Sequence, residues 1–116
     1  MNSILDSIKQ LLGIPATDTA FDTDIIIHIN SAFMALNQLG IGGATVFSIS
    51  DNTTTWADYL STDEDTYSAV KTYVFLLVRE AFDPPSTASL MTSMQNLRRE
   101  LEWRLSVQVP TPLESV

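Results

Sequence analysis

Two adjacent prolines, Pro84 and Pro85, stand between two segments that otherwise read as long helices. Pro84 biases Asp83 out of the α region. The apolar helix that carries Tyr73 to Val78 must therefore stop near Phe82. Asp83 can cap the following helix, with Pro84 at its first position, where a missing N–H costs nothing. The stretch predicts a rigid corner between a helix over about 63–82 and another over about 85–105.

Helical spacing organises most of the remaining chain. Ile4, Leu5, Ile8, Leu11 and Leu12 predict a helix over 3–12, with Ser3 and Asp6 at capping-box spacing and Gly13 and Pro15 ending it. Ile25, Ile26, Ile29, Phe33, Leu36 and Leu39 form one stripe over 22–39. Asp22 is placed to accept from the first-turn N–H groups, and Gly40 takes the left-handed position at the end. In the 63–82 helix, Ser61 and Glu64 have capping-box spacing, and Asp63, Glu64 and Asp65 favour the positive end of the dipole. Its stripe is Tyr67, Val70, Val74, Leu77, Val78 and Ala81, and Tyr73, Phe75 and Leu76 make the other side apolar too. Such a helix is either central or covered by another subunit. In the last helix Leu90, Met94, Leu97, Leu101 and Leu105 are expected to face inward. Arg98–Glu102 and Glu100–Arg104 pair on the outside, each worth about a few tenths of a kcal/mol.

Gly42-Gly43 opens a different texture. Val46 to Trp56 is β-branched and aromatic, and reads as a small hairpin or an ordered loop, followed by a helical turn at 57–60. A lone hairpin is marginal in water, so Phe47 and Trp56 are expected to pin it to a helix or a neighbouring chain. The expected fold is mainly α, with two or three long helices, one short helix and a hairpin or loop insertion at about 41–60. A helical domain over 1–104 is followed by an extended arm over 105–116, whose prolines leave it dependent on a partner for order.

Charge narrows the function. The 116 residues carry a net charge of −8. Residues 1–65 hold nine acids against Lys9 alone, whereas residues 66–116 balance five acids with five bases. Tight nucleic-acid binding needs a basic footprint, which this chain lacks; an acidic surface can still face DNA, but would repel it. With no cysteines there are no disulfides, and one histidine is a poor start for zinc. The N-terminus lacks the uninterrupted apolar core of a signal peptide. The longest wholly apolar run has six residues, too short to span a bilayer.

Catalytic and metal patterns fail on inspection. Asp24 and His28 have i,i+4 spacing but no further ligand is signalled, and an acid in a first turn has an ordinary role. From Asp18 a calcium loop would need glycine at Thr23 and glutamate at Ile29. Gly40 to Gly43 lacks the Lys-Ser/Thr of a phosphate loop. No enzyme activity, cofactor or metal is expected. Arg98, Arg99 and Arg104 form the one basic cluster, interleaved with Glu100 and Glu102. They can meet the acids of a neighbouring copy, Asp63, Glu64 and Asp65, in a head-to-tail ring. Trp103 points away from the Leu101–Leu105 stripe and needs a partner if exposed.

SIKQLLGI near the start, FDTDIIIHINSAFMALNQLGIG, FSISDNTTTWADYL, VKTYVFLLVREAFDPPS and LRRELEWRLSVQ resemble, in that order, the small head–tail connector (adaptor, head-completion) proteins of tailed bacteriophages. The resemblance implies a structural protein of the virion neck, passing through the host cytoplasm during assembly. It implies a ring of roughly a dozen subunits between the portal and the stopper or tail, with DNA passing through without sequence-specific binding. By analogy the arm, with Trp103, Leu105, Val107, Val109, Pro110, Pro112 and Leu113, docks on the portal. The loop with Phe47, Ile49, Asp51, Trp56 and Tyr59 meets the channel or the next subunit. The alternative is a small acidic inhibitor or regulator that masks a basic surface by charge mimicry.

Overall fold

The computed structural model describes residues 3–41, 45–59 and 64–108. It is mainly helical: α1 Ile4–Leu12, α2 Asp22–Gln38, the short α3 Trp56–Tyr59, α4 Glu64–Phe82 and α5 Ala88–Gln108. Ser3 Oγ accepts from Asp6 N–H at 3.2 Å and caps α1. Gly13 ends that helix at φ 83°, a value that a side chain opposes, and Ile14 N–H returns to Lys9 C=O at 2.9 Å. Gly40 does the same for α2 at φ 92°.

The start of α2 differs from expectation. Phe21 is its N-cap, without a side-chain bond, and Asp22 is already helical. The Asp22 carboxylate turns to Lys9, whose Nζ lies 2.8 Å from Oδ1. Lys9 is only 1 % exposed and also donates to Ala16 C=O at 3.2 Å. A buried ammonium needs such partners, and this demand outranks capping. The pair ties the end of α1 to the start of α2.

The segment 45–55 is an ordered loop, and none of the described residues forms a strand. The reason lies in its hydrogen bonds, which go elsewhere. Ile49 N–H donates to Asn30 Oδ1 at 2.8 Å, and Asn30 Nδ2 donates to Ile49 C=O at 3.0 Å. Ile4 N–H donates to Thr54 C=O at 3.0 Å, within a single antiparallel bridge of Ser3 and Thr55. The loop thus pairs with α2 and the start of α1, not with itself. Thr55 and Asp58 then cap α3 reciprocally, at 2.9 and 3.3 Å.

α4 is the central helix, packed on α1, α2 and α5. Its Val70, Tyr73, Val74, Leu76 and Val78 are buried with Ile4, Leu5 and Ile8 of α1 and Ile25, Ile29, Phe33 and Leu36 of α2. Each large side chain so placed contributes roughly 1.5–3 kcal/mol. The two apolar sides of α4 are therefore both used within one chain.

The proline corner is also built differently. α5 starts at Ala88, and Thr87 caps it through Leu90 N–H to Oγ1 at 3.3 Å. Pro84 cannot open a helix because Pro85 restricts it in turn. Asp83 instead closes α4: its N–H donates to Arg79 C=O at 3.0 Å, and Arg79 Nε donates back to its C=O at 2.6 Å. At the far end α5 runs to Gln108, past the boundary expected at 105, because no helix breaker precedes Pro110. Leu105 is fully buried and belongs to the core.

Candidate assembly surfaces

Among the described elements α5 packs chiefly against α4, and that decides which of its residues remain outside. Tyr73 Oη donates to Glu102 Oε2 at 2.8 Å, and Arg98 Nε donates to Glu80 Oε2 at 2.8 Å. Arg98 Nη1 reaches Glu102 at 3.3 Å. Burial works against the Arg98 charge, but Glu80 and Glu102 outweigh it and raise the guanidinium above its ordinary value. Burial first, and then Glu102, push the Tyr73 phenol well up. Arg98 therefore joins α5 to α4 through Glu80. Arg104 pairs with Glu100 at 2.7 Å on the open surface. Arg99 is exposed and makes no ion pair with the described residues.

The expected inward stripe of α5 is only partly inside. Leu105 is buried and Met94 and Leu101 half-buried, whereas Leu90 and Leu97 are 49 % and 42 % exposed. A single neighbouring helix covers too narrow an arc to seal them. On the far face Trp103 is 66 % exposed and Val107 59 %. These are the expected arm residues that the structure describes outside the core; Val109, Pro110, Pro112 and Leu113 lie outside the described residues.

The loop residues go inward. Phe33 of α2 meets Phe47 edge-on and Tyr59 at a tilt, at centroid distances of 5.2 and 4.6 Å, with Trp56 edge-on at 6.4 Å. Trp56 and Ile49 are buried. Phe47, Ile49, Trp56 and Tyr59 therefore fasten the loop to its own subunit, and of the five expected contact residues only Asp51 is exposed. Thr53 donates twice to Asp51, from N–H at 2.9 Å and from its hydroxyl at 2.6 Å, which lowers the carboxyl pKa. Burial pushes the Tyr59 phenol up to about 12. Glu64 and Asp65 begin α4, and Asp63 lies outside the described residues.

Nothing in the residue patterns singled out Asn30, Lys9 or Glu80 as organising contacts. Ile27 carried a signal: it is the one member of the isoleucine run 25–27 that is off the α2 stripe. It is 56 % exposed, and Met34, seven residues on, is 54 % exposed. His28 packs edge-on to Phe82 at 6.4 Å. No three His, Cys, Asp or Glu side chains among the described residues are grouped to hold a metal. No described helix is long and apolar enough to cross a membrane.

The family model described as "Phage connector protein" matches residues 4–111. The chain belongs to the phage connector protein family. The match spans every described helix, including the whole of α5. No curated protein and no solved structure gives a significant match. The connector family is one of structural phage proteins, whose role is to associate with other head and tail components at the virion neck.

Proposed function

We propose that this connector assembles as a ring that joins the portal at the capsid vertex to the stopper or tail, with the genome passing through its channel. The observation that carries the reading is the family match over 4–111. The exposed apolar residues of α2 and α5 support it, because side chains such as Ile27, Met34, Trp103 and Val107 gain by being covered. The acidic first half supports it too. Exposed carboxylates such as Asp51 of the loop and Asp58 of α3 can face passing phosphates without retaining them. Residues 109–113 are the portal-docking arm in this reading, and they follow directly on α5.

The test is electron microscopy of the purified protein mixed with its cognate portal, beside a chain ending at Gln108. A stacked ring with the full chain, lost on truncation, is the expected result. Rings with both chains move the portal contact onto the helices. No association at low or moderate salt overturns the reading.

A further inference from the structure

The two faces left uncovered lie on opposite sides of the subunit. α5 sits against Tyr73 and Glu80 of α4. α2 sits against the opposite flank: Phe82 meets His28 of α2 and the preceding Phe21. Phe82 is two residues beyond Glu80, about 200° around the helix. The outer face of α2 presents Asp24, Ile27, Ser31 and Met34, all exposed. The outer face of α5 presents Arg99, Trp103 and Val107, all exposed. Neither Asp24 nor Arg99 makes an ion pair with the described residues.

The two faces match in charge and in register. Each has a charge followed about one turn on by an apolar side chain: Ile27 is three residues after Asp24, and Trp103 four after Arg99. Laid parallel, Asp24 meets Arg99, Ile27 meets Trp103 and Ser31 meets Val107. The Asp24–Ser31 and Arg99–Val107 spans, seven and eight residues, correspond to about 10 and 12 Å of helix, and Met34 lies about one turn beyond. An antiparallel arrangement would separate the charges. Complementary patches on opposite sides of one molecule make a heterologous contact, which propagates head to tail.

We infer that the outer face of α5, centred on Trp103, docks on the outer face of α2, centred on Ile27, of a second copy of this chain. The inference rests on the ring reading and names the surfaces that would meet in it. Trp103 is the anchor, and Arg99–Asp24 sets the register.

The absence of cysteine makes a direct test possible. A Ser31→Cys/Val107→Cys chain, which leaves Trp103 in place, is assembled on the portal and treated with a short bifunctional thiol reagent. The expected result is a ladder of covalent multimers, absent from either single-cysteine chain. Trp103→Ala lowers assembly roughly tenfold or more. Arg99→Glu and Asp24→Arg each weaken it, and combining them in one chain restores it. Rings seen by microscopy without the ladder overturn the inference while the ring reading stands. Dimers from Val107→Cys alone also overturn it, because the α5 face then pairs with itself. Absence of rings from the unmodified chain overturns both.

Discussion

At the scale of single residues, burial decides what a side chain does. Lys9 is 1 % exposed and Asp22 26 %. Removing the carboxylate leaves the buried ammonium with the Ala16 carbonyl alone, whereas removing the ammonium leaves a carboxylate on a side chain that is 26 % exposed. Asp22→Ala is therefore expected to cost about 3–5 kcal/mol, and Lys9→Met distinctly less. Chemical denaturation of both variants checks the order, and equal losses would refute the asymmetry. Tyr59 gives a second case. Its hydroxyl is buried without a hydrogen-bond partner among the described residues. Tyr59→Phe should leave the melting temperature unchanged or raise it. In the wild type the raised pKa, about 12 against 10.0 unperturbed, means that folding favours the neutral phenol. That contribution is complete below pH 10.0 and is lost as pH rises through about 12. An ultraviolet tyrosine titration should show Tyr59 ionising late in the folded protein, and alkaline stability should fall over the same window less steeply in Tyr59→Phe.

Elements show how a few polar contacts position long segments. The loop 45–55 has no strand partner, and Asn30 holds its centre through both the N–H and the C=O of Ile49. Asn30→Ala should cost roughly 1–3 kcal/mol and loosen the Trp56 environment, seen as a red shift in fluorescence. An unshifted spectrum and melting curve would show that the aromatics alone hold the loop. α5 depends similarly on Arg98, Glu80, Glu102 and Tyr73 where it meets α4. Glu80→Gln combined with Tyr73→Phe should raise amide exchange selectively in α5, with α1 and α2 still protected. Uniform loss of protection would show that α5 is not a separable unit.

For the whole molecule, the two tryptophans are opposites: Trp56 is 2 % exposed and Trp103 66 %. In the free protein a neutral quencher should reach Trp103 and spare Trp56. On assembly Trp103 should become protected, and Trp103→Phe should abolish that change. Continued quenching of Trp103 in assembled rings would place it on an outer surface. Assembly should also weaken as salt rises, because an exposed Arg99–Asp24 contact is screened over about 8–10 Å at ordinary ionic strength.

The sequence by itself determined the helical class, both capped ends of α1, the glycine end of α2, the stop near Phe82 and the family. Those features rest on local spacing, on glycine at left-handed positions and on proline's missing donor, and they need no knowledge of neighbours. The Val46–Trp56 segment was legible as a hairpin or a loop, with its aromatics pinned to something. Only the tertiary structure decided between these, because Asn30 and Ile4 take the hydrogen bonds that a second strand would have used. Only the tertiary structure assigned Asp22 to Lys9, Arg98 to α4 and Leu105 to the core. A charge or a leucine on a helix face has no intrinsic partner, and burial against α4 is what distinguishes Leu105 from Leu97 on the same stripe.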